Sequence, residues 1–324
     1  YYSNSQISER GSYISGKQDG EWNYYFGNGV LQLRNSFSTG VKVGEEVKYY
    51  EDGTIAEKKM YLNGLLNDEY LTYYNNGKIQ VKGNYDSDKK VGIWTQWFVN
   101  GQVENVFNYK FDLRDGQYSC YYETGILREK GSYRYGVLDG SLVTYFPNEL
   151  NERISNYVKG FKQGEEKEYY SSGVLKSVVN YDNGYLQGKA VYFYDLSSST
   201  VQEQGEYLRN LKQGEWVYYY ANTAIKEKGY YEGNHKSKMW KFFSETGVLT
   251  HQLTFVDDRM HGDAVDYYSD GRVEEKGTYY NNQKEGEWVY YFYVENEIIE
   301  SRGNFRKGVK MDDWKSVKMY DGVK

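Results

Sequence analysis

Hydrophobic and polar residues fall into short aromatic-rich stretches closed by glycine, and the stretches return at a constant spacing. Glu21 to Phe26 reads Glu-Trp-Asn-Tyr-Tyr-Phe and follows Gly20. A run of ~5–6 residues rich in Tyr, Trp and Phe and bounded by turn residues is the pattern of a β-strand. Asn28-Gly29 comes next, a dipeptide that tolerates the positive φ of tight turns. Val30 to Phe37 then alternates apolar and polar as a return strand, and Ser38 to Gly44 closes onto the next hairpin. Apolar spacing at i, i+3 and i+4 is absent, so the pattern predicts strands and no amphipathic helix.

The hairpin recurs along the whole chain. With Gly20 as anchor, equivalent positions are Gly44, Asp68, Gly92, Gly116, Gly140, Gly164, Gly188, Gly214, Lys238, Gly262, Gly286 and Asp312. The step is 24 residues except before Gly214 and Asp312, where it is 26. Offsets from the anchor name the positions of a repeat. Position −7 is always Tyr or Phe, from Tyr13 and Phe37 to Tyr279 and Phe305. Position +2 holds Trp22, Trp94, Trp216, Trp240, Trp288 and Trp314. Positions +5 and +6 are an aromatic pair led by Tyr25, Tyr49, Tyr73, Trp97, Tyr121, Tyr145 and Tyr169, and +9 is a turn glycine in Gly29, Gly53, Gly77 and Gly101. The two longer steps carry their extra residues near Leu196–Thr200 and Glu295–Glu297, at the first turn, where hairpins accept insertions.

The expected fold is therefore all-β. Residues 1–324 should form one elongated array of about thirteen stacked β-hairpins in a twisted antiparallel sheet. At ~4.8 Å per strand, such an array would be a rod on the order of 120 Å long. Residues +5 and +6 should point to opposite faces, so each face should carry a column of rings with their hydroxyls in water. The array starts in the middle of a repeat, because Tyr1-Tyr2-Ser3-Asn4-Ser5 has the register of an aromatic pair and its turn. With no initiating Met, the chain is expected to be an ordered part of a longer protein. Any signal or lipid anchor would then lie upstream, and a periplasmic or cell-surface setting is favoured.

Composition sharpens this picture. The chain has a hydrophobic fraction of 39%, yet 40 of its 324 residues are Tyr, and its mean hydropathy is −0.87. Leu, Ile, Val and Phe together make up only about a fifth, close to the range in which chains stay disordered. A net charge of −6 is small for this length, however, and disordered chains are poor in aromatics. The buried surface must be built from Tyr, which argues against an aliphatic-core enzyme fold. No apolar run approaches the ~18 residues of a membrane-spanning helix. An acidic balance without a basic block argues against nucleic acid as a partner. One cysteine, Cys120, excludes an internal disulfide framework and a cysteine-based zinc site.

The residues now carry a family resemblance. Gly11-x-Tyr13-x-x-Gly16-x-x-x-Gly20-x-Trp22, continuing through Tyr25-x-x-Asn28-Gly29-x-Leu31, resembles the MORN repeat in its bacterial variant. That variant is found in the antitoxin family usually called YwqK. Gly205-x-Tyr207 to Gly214-x-Trp216 and Gly277-x-Tyr279 to Gly286-x-Trp288 are further clean copies. Asp68, Lys238 and Asp312 depart from it by replacing the anchor glycine, and Lys59, Phe107, Val179 and Leu253 replace the earlier one. The resemblance implies a non-enzymatic β-sheet that serves as a protein-binding or membrane-proximal scaffold.

Candidate chemistry is sparse. His235, His251 and His261 sit in separate repeats without cysteine partners, so no metal or catalytic role is expected. Cys120 lies inside a strand between Ser119 and Tyr121, with no His nearby to activate it. Asp86-x-Asp88 starts like a calcium loop but lacks its glycine and distal Glu. Gly40-x-x-x-Gly44 lacks the Lys-Ser/Thr ending of a phosphate loop.

No cofactor is expected. The partner should be another protein, either a large envelope- or membrane-associated assembly or a toxin that the chain neutralises. The alternative is a glycan- or cell-wall-binding module using the Tyr and Trp rows. Specific contacts are expected where the repeat is broken, at Trp97, Phe107, Pro147, His235 and His261.

Overall fold

A computed structural model describes residues 1–196, 199–295, 297–312 and 314–320. Those residues form antiparallel β-strands and no helix. The chain divides into two units, Tyr1–Phe161 and Lys162–Lys324, and within each unit successive strands pair in chain order.

Each repeat is the expected hairpin, with one difference at the anchor. Lys17–Tyr25 and Val41–Tyr49 run straight through Gly20 and Gly44, where the sequence pattern suggests strand boundaries. The anchor is instead a bulge. In the second unit, pairing jumps from Gln204↔Val217 to Glu206↔Gln213, so Gly214, Glu215 and Trp216 all face Gly205. Gly214 has φ +74°, the left-handed geometry that a bulge of this kind uses. Asp68 and Lys238 adopt the same geometry, at φ 62° and 57°, so these departures leave the bulge intact. The cost falls on stability, because a left-handed conformation strains a residue with a Cβ by ~1–2 kcal/mol.

The two turns of a repeat differ chemically. At the first, only the glycine of Asn28-Gly29 has positive φ. Asn28 serves by hydrogen bonding: its Oδ1 accepts from Val30 N at 3.0 Å and its Nδ2 donates to Glu51 O of the next repeat at 3.2 Å. At the second turn both central residues have positive φ, as in Asn63-Gly64 (52° and 84°) and Asp257-Asp258 (47° and 65°). That is the type I′ turn, whose twist matches that of paired strands. Phe111 and Tyr135 occupy this turn despite their bulk.

The first long step behaves as expected: Tyr194 N donates to Thr200 O at 2.9 Å, so its extra residues lie in the turn. The second does not. Gln283–Val294 and Glu297–Arg306 pair without a register shift from Gly286↔Phe305 to Val294↔Glu297, so the insertion lengthens both strands. Ser197, Ser198 and Asn296 of these insertions lie outside the described residues.

The tyrosines at +6 join one repeat to the next. The hydroxyls of Tyr50, Tyr74, Tyr122, Tyr170, Tyr194, Tyr220 and Tyr268 each donate to the carbonyl of the +5 residue one repeat on, at 2.7–2.9 Å. The expectation that these hydroxyls stay in water is corrected. A ring that is apolar on its flat and a donor at its tip bridges repeats in a way Leu cannot.

Candidate interaction surface

Within each unit, indoles seated on glycines build the core on one face of the sheet. Trp216 stands over Gly205, where an added β-carbon would lie 2.3 Å from the ring. Gly11, Gly83, Gly229 and Gly277, also at −9, leave 2.1–2.3 Å beside Trp22, Trp94, Trp240 and Trp288. Trp216, Trp240 and Trp288 are fully buried. Each of these five indoles donates Nε1–H to the −8 carbonyl at 3.1–3.2 Å, as Trp216 does to Glu206 O. Edge-on tyrosines from −7 close the pocket, with Tyr207 and Trp216 centroids 5.2 Å apart at 79°.

Repeats lacking that glycine compensate across the strand pair. Val179 faces Ala190, Leu253 faces Ala264, Phe107 stacks on Tyr118 at 5.2 Å, and Asn35 Nδ2 donates to Glu46 Oε2 at 3.1 Å. Lys59 is held by Glu46 and Glu57 at 3.1 and 3.2 Å. Positions −9 and +2 thus share one volume: an indole takes it over glycine, and a larger −9 residue takes it beside a small, flat or polar partner.

Lysines at −2 lie over the indoles. Lys212, Lys236, Lys284 and Lys310 place Nζ 3.8–3.9 Å from the centroids of Trp216, Trp240, Trp288 and Trp314. Glu203, Glu227 and Glu275 pair with the first three of these lysines at 2.7–3.1 Å. Lys42 and Lys162 pair with Glu46 and Glu166 at +2 instead. Burial and the neighbouring Tyr231 raise the Tyr218 phenol well above its ordinary range.

The edge formed by the type I′ turns carries exposed apolar residues in the first unit. In the first unit Val41, Leu65, Leu113, Val137 and Phe161 share position −3, with 44–59% of each exposed. Leu62 and Val158 also line it, Leu62 facing Leu65 across its hairpin, and Phe111 and Tyr135 add the turn residues. Neighbouring repeats meet along the row: the Val41 side chain reaches within 3.2 Å of where a β-carbon would stand on Gly64, and Leu113 within 3.5 Å at Gly136. Lys89 holds position −3 between Leu65 and Leu113, its Nζ 6.0 Å from the Phe111 ring. In the second unit the same edge mixes Tyr185, Leu211 and Val309 with His235 and Arg259.

Each repeat-breaking residue makes its own local contacts. Trp97 ends a strand and its carbonyl accepts the Tyr74 hydroxyl. Phe107 lies between Tyr118 and the Arg114 guanidinium, whose Cζ is 3.9 Å from its ring. Pro147 takes the second place of a turn closed by Glu149 N to Phe146 O at 2.9 Å. His235 bonds Asp258 Oδ2 at 2.6 Å, which raises its pKa, and His261 lies 4.8 Å from the Tyr280 ring. Tyr25, Tyr49, Tyr73, Tyr121, Tyr145 and Tyr169 are half-buried at strand ends. Cys120 is buried, which pushes its thiol up and away from reactivity. Among the described residues no group of three His, Cys, Asp or Glu could hold a metal. The exposed apolar edge and the lysines over the indoles were not anticipated, although their spacing at −3 and −2 is periodic in the sequence.

The MORN repeat variant family profile matches residues 42–63, 69–87, 114–135 and 162–183. Four segments of the chain are thus similar to the MORN repeat variant. Each matched segment ends on the first residue of a type I′ turn, at Asn63, Ser87, Tyr135 and Asn183. No curated protein matches the chain. Among solved structures, the crystal structure of TcdB2-TccC3 without hypervariable C-terminal region aligns at 9% identity and TM-score 0.17, over 91% of this chain and 19% of that one. The crystal structure of TcdB2-TccC3-Cdc42 aligns at 8% identity and TM-score 0.14, over 96% of this chain and 24% of that one. The chain thus spans about a fifth to a quarter of the length of those chains, and the likeness is too slight to bear on its fold or function.

Proposed function

We propose that the chain is a non-enzymatic repeat scaffold that binds another protein along its type I′ turn edge. The observation that carries this reading is the exposed apolar row of the first unit, Val41, Leu65, Leu113, Val137 and Phe161 with their neighbours. Nine such side chains, about half exposed on average, present on the order of 700 Å² in total along a row interrupted by Lys89, near the ~800 Å² each partner gives to a standard interface. MORN repeats are in general protein- and membrane-interaction modules, which agrees. The finer role is either a subunit of a larger envelope- or membrane-associated assembly or a toxin-neutralising immunity protein. Glycan binding is disfavoured because the indoles it would use are buried and four of them already hold the chain's own lysines.

Affinity purification of the full chain from its native host tests the proposal. A defined complex is expected, lost when Leu113, Val137 and Phe161 are changed together to Lys while the melting temperature is kept. A purely monomeric native fraction overturns it. Growth rescue on co-expression with a neighbouring toxin would select the immunity role over the structural one.

A further inference from the structure

Resting on that protein-binding reading, we infer that the first unit carries a receptor for an acidic side chain of the partner, built around Lys90 and Arg114. Both residues occupy position −2, in consecutive repeats. They line a cavity of about 330 Å³ whose walls include Trp94, Phe107, Tyr109 and Gln96 and contain no acidic residue. Lys90 Nζ lies 4.2 Å from the Trp94 ring and 5.4 Å from that of Tyr109, and Arg114 Nη1 donates to the Tyr133 hydroxyl at 3.4 Å.

The chain supplies its own template for the missing group. In the second unit Lys212, Lys236 and Lys284 lie over indoles in the same way, and each meets a carboxylate from position −11 at 2.7–3.1 Å. The −11 residues of the Lys90 and Arg114 repeats are Val81 and Asn105, and their +2 residues are Trp94 and Tyr118. Neither place that supplies a carboxylate elsewhere does so here. The flanking glutamates are engaged, Glu57 by the Tyr70 hydroxyl at 2.8 Å and Glu129 by that of Tyr118. Asp112, at the turn, accepts the Lys90 backbone N–H at 2.8 Å, the role Asp258 plays for Lys236, which has Glu227 as well.

The cavity is also open where its counterparts are filled. Position +4 carries Tyr218, Phe242 and Tyr290 in the repeats of Lys212, Lys236 and Lys284, but Gln96 in that of Lys90 and Cys120 in that of Arg114, with Thr72 at +4 of the preceding repeat lining the cavity. Two cations beside aromatic walls, with amide donors from Gln96 and Asn105, form a pocket that a carboxylate on a short side chain would complete by charge-assisted hydrogen bonds. A Glu or Asp presented by the partner fits that description, because it restores the Lys–Glu pairing the other repeats make internally.

The test titrates the full chain with blocked hexaglutamate by calorimetry, with blocked hexalysine, acetate and inorganic phosphate as comparators. Binding of hexaglutamate is expected, weakening as salt rises. The double variant Val81→Glu with Asn105→Glu installs the internal carboxylates and should lower that affinity at least tenfold while keeping or raising the melting temperature. Lys90→Gln with Arg114→Gln should lower it similarly. No hexaglutamate binding, equal binding by the Val81→Glu/Asn105→Glu variant, or binding of phosphate in preference to hexaglutamate each overturns the inference. The scaffold reading is judged separately: a chain that fails here but still co-purifies in its complex refutes the pocket alone.

Discussion

Exchanging the packing of one repeat for that of another tests the shared volume of positions −9 and +2. Trp216 is fully buried on Gly205, and an indole hides roughly 200–250 Å². At ~25 cal/mol/Å² this amounts to ~5–6 kcal/mol as an upper bound, and measured Trp→Ala losses run ~3–5 kcal/mol. Trp216→Ala should therefore cost about 4 kcal/mol, including the lost bond to Glu206 O. Gly205→Val alone places a β-carbon 2.3 Å from the ring, expels the indole and should cost a similar ~4 kcal/mol. Independent effects would sum to ~8 kcal/mol. The double variant recreates the Val179–Ala190 pair that the chain already buries, so its loss should be nearer ~4–5 kcal/mol, a coupling of about 3 kcal/mol. Urea unfolding followed by circular dichroism measures the totals. Hydrogen exchange of the amides of Val201–Leu208 and Leu211–Tyr219 reads the local effect, since repeat arrays open in segments. A double variant as unstable as the sum of the singles, within ~0.5 kcal/mol, would refute the shared-volume argument.

Three further outcomes are expected. Lys238→Gly should raise stability by about 1 kcal/mol, because φ 57° strains a side chain there and the exposed contact to Glu232 is weak; an unchanged or lower melting temperature would contradict the bulge assignment. Tyr220→Phe should cost about 1 kcal/mol by removing the bond to Phe243 O, whereas Tyr49→Phe, at +5 and outside the row of bridging hydroxyls, should cost less in the same denaturation assay. Burial alone would raise the Glu46 carboxyl, but bonds from Lys42, Asn35 and Lys59 outweigh it and hold the pKa below its ordinary 4.5. Its folded pKa being depressed, Glu46 contributes stability above that value and loses it as pH falls through the lower folded one. Glu46→Gln should therefore flatten the acid limb of the melting curve below about pH 4.5, and an unchanged limb would count against the pairing.

Much of the repeat was legible because its signals are local. Glycine at +9 closes the first turn, and the aromatic runs such as Trp22 to Phe26 lie on strands as their composition requires. The interaction surface was less legible for a physical reason. Val41, Leu65 and Leu113 look like ordinary strand residues in sequence, and only pairing places them beside the turn, outside the cover of the neighbouring hairpin. Lys212 likewise reads as a solvated charge until the bulge at Gly214 brings Trp216 beneath it. His235 and His261 drew notice as departures from the pattern, yet each makes a local contact at the turn edge.

The sequence by itself determined the period, the antiparallel hairpin and the dependence on Tyr, because turn geometry and strand propensity act over a few residues. Tertiary structure decided what those residues do. The bulge sets each +2 indole on a glycine eleven positions earlier, as with Gly205 and Trp216, a contact made by strand pairing rather than by neighbours in the chain. The same pairing turns a Tyr hydroxyl into a bridge and a Lys into a cover, and it leaves Lys90 and Arg114 without the carboxylate that their counterparts hold.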